Sequence, residues 1–321
     1  MTILLVASTG GHLSELYTLR PQLVTQGEPV VWVTFNGPQS ETLLIGQEIE
    51  FIRPVKPRDW RALMACLPVA WRLLAKHRVT RVISTGSGIA LAFLPLARLR
   101  GVRTQYIESA ARGDAPSLTG KILSHLPGIE CYTQYSRWRR RGWAHTHSVF
   151  DDYESRQEIG NQEIRRVFVT LGTIPGYSFR RLVERLLQIL PPEVDVVWQV
   201  GHTDVSDLAI DAHTFLPWIE VKRAMVEADV VVAHSGIGSA LDALDVGKCP
   251  VLVPRRAARG EHVDDHQQSI AEELDSRNLS VSVELDQLTL ETLRSAMLTS
   301  VDRRRVDIRV DRTVASEVLS R

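Results

Sequence analysis

Residues Ala228-Asp229-Val230-Val231-Val232-Ala233-His234-Ser235-Gly236-Ile237-Gly238-Ser239-Ala240-Leu241-Asp242-Ala243-Leu244 decide how this chain is read. The run from Ala228 to Val232 is apolar apart from Asp229, the pattern of a parallel strand covered on both faces. Ala240, Leu241 and Leu244 then recur at helical spacing. Ser235, Gly236, Gly238 and Ser239 therefore fall on a strand-to-helix turn. Glycine lets backbone come close to a neighbour, and the first N–H groups of a helix lack internal partners. With the helix dipole they suit an anion, most often a phosphate. The same turn also serves simply to pack a strand on a helix, and the local sequence leaves both readings open. Asp242, one turn into the helix, can accept hydrogen bonds from hydroxyls.

Downstream, Pro250–Pro254 is a strand and Arg255–His262 a polar loop. Asp265-His266-Gln267-Gln268 then opens a helix to about Leu274, and adjacent amides offer the donors and acceptors that sugar hydroxyls require. Residues 290–301 form another helix, and the charged tail from Arg303 is a candidate final one. Upstream lie a helix at Val221–Glu227, a short strand and turn at Thr214–Trp218, and a strand at Val194–Val200. A helix at Phe179–Leu190 follows the strand Arg166–Leu171 and the turn Gly172-Thr173-Ile174-Pro175-Gly176. The polar run from Asp151 to Arg166 is the expected linker.

The first half has the same plan. A strand at Ile3–Ala7 meets Ser8-Thr9-Gly10-Gly11-His12 and a helix from about Leu13 to Leu23. The complete G-x-G-x-x-G dinucleotide pattern is missing, as is a ribose-binding acid after the strand Val30–Thr34, which argues against a dehydrogenase. His12, at a helix N-terminus, is either a cap or a base for a reacting hydroxyl. Glu108 ends the strand Val102–Ile107, where α/β proteins place ligands. It is either a base or sugar ligand, or a strand-end carboxylate paired with Arg103 or Arg112. A helix from Trp60 to His77, interrupted at Pro68, carries Trp60, Met64 and Trp71 among arginines. It fits an anionic bilayer surface or ordinary packing on a sheet. The basic and aromatic cluster from Ser136 to Trp143 meets phosphates or is a solvated loop. Two βα-rich halves predict an α/β fold of two Rossmann-like domains facing across a cleft, residues 1–155 and 165–321, with the C-terminal tail crossing back to the first.

The 321 residues are 44% hydrophobic and 24% charged, normal for a globular protein. Net charge is zero, but residues 1–160 sum to +6 and residues 161–321 to −6. Neither half is basic enough to suggest nucleic acid. Cys66, Cys131 and Cys249 have no metal or disulfide spacing. No window reaches the roughly 18 apolar residues of a membrane span, and the N-terminus lacks the basic and apolar regions of a signal peptide. The expected location is the cytoplasm, with at most peripheral contact on the inner face of the membrane. No Asp-x-Asp motif is present to hold a divalent cation, so no metal or other cofactor is expected.

These motifs together resemble family 28 glycosyltransferases of the GT-B fold. The second half, through residues 167–173, 233–244 and 265–268, is similar to the catalytic subunit of the split dolichol-pathway UDP-GlcNAc transferase. The first half is similar to its membrane-recruiting partner through residues 8–12, 84–88 and 106–109. Bacterial exopolysaccharide glucuronosyltransferase pairs are comparable. The resemblance implies an inverting, metal-independent hexosyltransferase moving a sugar from UDP to a polyprenyl-diphosphate-linked saccharide in cell-surface polysaccharide synthesis. Donor contacts would come from Gly172, Thr173, His234, Ser235, Gly236, Gly238, Ser239, Asp242, Asp265, His266, Gln267 and Gln268. Gly10 and Gly11 would lie on the acceptor side, with His12 or Glu108 as base. Asp242 stands where the family usually has Glu, and the recruiting partner's N-terminal membrane span has no counterpart. A small-molecule glycosyltransferase, a nucleotide-sugar epimerase of the same fold and a non-catalytic UDP-sugar-binding protein are the alternatives.

Overall fold

The computed structural model describes residues 2–55, 59–138, 140–160, 163–172, 176–262 and 266–304. The first half alternates strand and helix. Its elements are β1 (Thr2–Ala7), α1 (Gly11–Leu23), β2 (Val30–Phe35), α2 (Pro38–Leu43), β3 (Glu48–Ile52), α3 (Trp60–Lys76), β4 (Val79–Gly86), α4 (Gly88–Leu99), β5 (Arg103–Ile107), α5 (Leu118–Ser124), β6 (Ile129–Thr133) and β7 (Trp143–His145). Its strands form one parallel sheet in the order β3-β2-β1-β4-β5-β6-β7.

After β8 (Tyr153–Gln157) the second half follows as β9 (Arg166–Thr170), α6 (Arg180–Ile189), β10 (Asp195–Gln199), β11 (Ala212–His213), α7 (Trp218–Glu227), β12 (Val230–His234), α8 (Ile237–Asp245), β13 (Val251–Val253), α9 (His266–Ser276), β14 (Val281–Ser282), α10 (Leu290–Met297) and β15 (Thr299–Arg303). Strands β9 to β14 form a second parallel sheet, β11-β10-β9-β12-β13-β14. These are two Rossmann-like units. Each strand order reverses once, between β1 and β4 and between β9 and β12, and such switch points open the crevice where α/β sheets bind ligands.

Burial follows the sequence pattern. Strands β1 and β12 are buried nearly end to end, as a sheet covered on both faces requires. Pro68 and Pro95 lie inside α3 and α4 without ending them, so the expected break at Pro68 is absent. The strand expected at 214–218 falls instead on Ala212–His213.

One expectation changes more substantially. The polar stretch expected as a linker contains β8, which pairs antiparallel with β15. Tyr153-Glu154-Ser155-Arg156-Gln157 is polar after its first residue and becomes exposed along the strand, so this two-stranded ribbon resembles a loop in sequence. That pairing brings the chain's last described strand back beside the junction. Arg304 N donates to Asp152 O at 2.7 Å, and Asp152 also accepts from Gln22 of α1 at 3.0 Å. The tail beyond 304 lies outside the described residues. The halves also share an apolar core. Leu13 and Leu16 of α1, Ile237 and Leu241 of α8, and Ile270 and Leu274 of α9 belong to one buried cluster.

Candidate functional site at the facing switch points

The two switch points are built alike. In the first, His12 is the second residue of α1, just beyond β1. Its Nδ1 lies 3.0 Å from Thr85 O at the end of β4, and Thr85 Oγ1 donates to His12 O at 2.7 Å. A carbonyl can only accept, so Nδ1 carries the proton and the basic lone pair of the neutral ring is on Nε2. Gly86 makes room for the ring. It has φ 126°, and a Cβ there would stand 3.0 Å from His12 Cε1.

In the second, His234 ends β12 and its Nδ1 lies 3.4 Å from Thr170 O at the end of β9. The ring lies between two glycines. A Cβ at Gly172 would come 2.7 Å from it and one at Gly236 only 2.3 Å. Both glycines are thus required by a histidine ring, a reason the sequence did not disclose. Gly236, Gly238 and Ser239 are half-exposed at the start of α8, while Ser235 is fully buried and its Oγ has no hydrogen-bond partner among the described residues.

The switch points touch at the starts of α1 and α8. A Cβ at Gly11 would lie 2.3 Å from Ile237 Cγ2, and one at Gly238 would lie 3.7 Å from Gly11 Cα. The N-terminal ends of the two helices, positive in their dipoles, therefore converge. Gly10 sits at that junction with φ 90°, its N–H donating to Gln39 Oε1 at 2.6 Å; Gln39 Nε2 returns to Gly10 O at 3.2 Å and Ser14 Oγ at 3.0 Å. Gln39 follows a glycine and a proline at the start of α2, and nothing in its local sequence marks this reach.

Asp242 is held by α7. Lys222 Nζ stands 3.2 Å from Oδ1 and donates to the Asp242 carbonyl at 3.0 Å, and Trp218 Nε1 donates to the same Oδ1 at 3.4 Å. Burial raises its carboxyl pKa, with Lys222 opposing. Gln267 is buried and its Oε1 accepts from Arg255 N at 3.0 Å, so this amide shapes the loop after β13. Gln268 is half-exposed, with Oε1 accepting from Arg256 at 2.5 Å and Nε2 donating to Glu272 at 2.8 Å. Thr173 and Asp265 lie outside the described residues. His266 begins α9.

Glu108 is corrected from base to structural carboxylate. It is 1% exposed and accepts from Tyr106 Oη (2.9 Å), Ser109 N (3.2 Å), Ser117 N (2.9 Å) and Ser117 Oγ (3.1 Å). Those donors close the loop from β5 to α5 and occupy both carboxylate oxygens. The suggested Arg103 partnership also fails, because Arg103 pairs with Glu130 at 2.9 Å. The sequence missed Glu15, which is buried one turn after His12. It accepts from Ser109 Oγ at 2.5 Å, Ala110 N at 2.8 Å and Gln134 Nε2 at 2.9 Å. Burial raises its pKa to about 7 despite those bonds. An acid at an otherwise apolar helix position was the available signal.

Comparison with known proteins fits this geometry. Residues 166–310 match the glycosyltransferase family 28 C-terminal domain. The second half thus matches a family 28 glycosyltransferase domain, and the whole chain has the two-domain fold of the GT-B glycosyltransferases on which it superposes. Among relatives, it is 27% identical to the UDP-N-acetylglucosamine--N-acetylmuramyl-(pentapeptide) pyrophosphoryl-undecaprenol N-acetylglucosamine transferase of Xanthomonas campestris pv. campestris (strain 8004), over 98% of this chain and 78% of that protein. The protein of the same name from Chlorobium phaeobacteroides is 26% identical, over 67% of this chain and 66% of its own length. MurG of Acinetobacter baumannii superposes with a TM-score of 0.57 at 20% identity, covering 91% of this chain and 88% of that one. SnogD, a glycosyltransferase from Streptomyces nogalater, gives 0.59 at 17% identity over 93% of each. The relatives' names concern a lipid-linked muramyl-pentapeptide precursor, not an exopolysaccharide.

Proposed function

We propose that this enzyme transfers a hexose, with inversion and without a metal, from a UDP-sugar to a hydroxyl of a polyprenyl-diphosphate-linked saccharide. The observation that carries the reading is the meeting of α1 and α8 at Gly11 and Ile237, which sets the His12 switch point against the donor turn. The start of α8 receives the diphosphate and Asp242 the ribose, with Gln268 beside the sugar. The acceptor oxygen attacks the anomeric carbon as its bond to the diphosphate breaks, and the hydroxyl proton passes to His12 Nε2. The leaving UDP gains charge, which the N–H groups of α8 stabilise. The relatives' names favour a peptidoglycan-type lipid-linked acceptor over an exopolysaccharide intermediate.

A lipid-borne acceptor is supported by the surface of the first half. Trp60, Met64 and Trp71 are exposed on α3, Leu99 is 80% exposed at the end of α4, and Arg100 stacks on the Trp71 ring at 3.6 Å. Arg61 and Arg72 are exposed beside them. Among the described residues no helix is long and apolar enough to cross a membrane. Exposed aromatics with interleaved arginines suit peripheral contact with anionic headgroups.

The test is UDP release from UDP-GlcNAc, UDP-glucose, UDP-galactose and UDP-glucuronate, each with a lipid-linked saccharide extract, a panel of small aglycones or no acceptor. Release dependent on the lipid fraction supports the proposal. Turnover with aglycones alone replaces the acceptor class, interconversion of UDP-sugars without acceptor makes the enzyme an epimerase, and no release in any arm removes catalysis from the proposal.

A further inference from the structure

Arg255, immediately after β13 and Pro254, is 2% exposed. Its Nη2 donates to the carbonyl of Leu171, the residue after β9. In the sheet, β12 lies between β13 and β9. The side chain therefore spans the end of β12, the strand that delivers His234 and Ser235. Two buried polar atoms here, Arg255 Nε and Ser235 Oγ, have no hydrogen-bond partner among the described residues. Among the described residues no carboxylate hydrogen-bonds the guanidinium. The acid whose charge it feels is Glu261, which itself pairs with Arg181 at 3.1 Å. Burial lowers the Arg255 pKa to about 10, which leaves it charged at neutral pH. A buried cation without a bonded anion is costly, and its field in a low-dielectric interior is weakly screened.

We propose that Arg255 is a positioning residue for the donor diphosphate: it holds Leu171, just beyond β9, and places a fixed positive charge behind the His234–Ser235 end of β12, which leads into the turn that meets the anion. This rests on the UDP-sugar reading above. It assigns to the loop after β13 an electrostatic role that neither the glycine motifs nor the Gln267-Gln268 pair discloses. The uncompensated charge becomes favourable when the diphosphate arrives, and more so as UDP departs with an added negative charge.

Calorimetric titration with UDP, UMP and uridine tests it on the full chain. The wild-type protein tightens from uridine to UMP to UDP. Arg255→Met lowers UDP affinity at least tenfold, about 1.4 kcal/mol, and leaves uridine affinity within twofold. Arg255→Lys, which keeps the charge, retains most of the preference for UDP. In turnover, Arg255→Met raises KM for the UDP-sugar and also lowers kcat. An unchanged ratio of UDP to uridine affinity in Arg255→Met overturns the assignment, as does an equal loss for all three ligands, which marks a purely structural role. Should Arg255→Met fail to fold, Arg255→Gln against Arg255→Lys reads the same ratio. A wild-type protein that binds none of the three removes the UDP-sugar reading itself, an outcome distinct from failure of Arg255.

Discussion

Gly11 and Ile237 occupy one volume: a single methyl on Gly11 would lie 2.3 Å from Ile237 Cγ2. The methyl belongs to a β-branched residue at the first position of α8, whose rotamer freedom is small. Gly11→Ala therefore pushes α1 from α8 and separates His12 from the turn that the proposed function gives to the donor. Activity falls at least tenfold, since small misplacement of reacting groups is expensive. Ile237→Ala in the same chain restores much of it, and a double-mutant cycle on kcat/KM measures the coupling. Independent effects of the two substitutions would mean that the helix contact does not align the site.

Removing the imidazole of His12 separates binding from chemistry. His12→Ala lowers kcat by about 10²–10⁴, the usual worth of a positioned base, while UDP affinity by calorimetry stays within threefold. A kcat within fivefold of wild type shows that some other group takes the proton.

Glu108 behaves as a structural group. In Glu108→Gln an amide NH2 meets backbone and hydroxyl donors that a carboxylate accepted. A buried polar mismatch of this kind costs about 1–3 kcal/mol. Chemical denaturation shows that loss, and kcat of the folded fraction changes less than tenfold. A hundredfold drop in kcat without loss of stability would return Glu108 to the role of base.

Glu15 makes stability fall with rising pH. Its carboxyl pKa is raised in the folded protein, from 4.5 to about 7, first by burial. Between those values the native state binds more protons than the unfolded one. Its contribution is complete below pH 4.5 and is lost as pH rises through 7, about 3 kcal/mol in all. Glu15→Gln removes this slope, so the variant gains on wild type between pH 5 and pH 8. Parallel stability profiles for the two proteins contradict the assignment.

The α3 surface gives a binding prediction. Trp60→Ser with Trp71→Ser abolishes sedimentation with phosphatidylglycerol vesicles and leaves turnover on a detergent-dispersed acceptor near wild type. Wild-type binding weakens with added salt and is poor on phosphatidylcholine, as headgroup attraction by arginine requires. Equal sedimentation of variant and wild type places any membrane contact elsewhere.

The fold was legible because periodicity and glycine turns are local. The apolar run of β12 and the helical spacing of Ala240, Leu241 and Leu244 are properties of consecutive residues, and backbone sterics translate them directly into a strand and a helix. The same holds for β1 and α1, and two such units in succession identified the doubly wound plan. Edge elements were harder, since β8 and β15 owe their form to each other across about 140 residues of chain.

Site chemistry divided along the same line. Sequence alone determined that His12, Ser235, Gly236 and Gly238 stand on strand-to-helix turns, because chain order fixes that placement. Only the tertiary structure decided which side chains face the chemistry and which are spent inside. Glu108 is consumed by Ser117 and Tyr106, Gln267 by the Arg255 backbone, and Gly11 makes room for Ile237. Arg255 and Glu15 drew no notice as charged residues in the sequence, yet the fold buries both. Burial and partnership depend on residues far apart in the chain meeting at close range, and no local pattern encodes those distances.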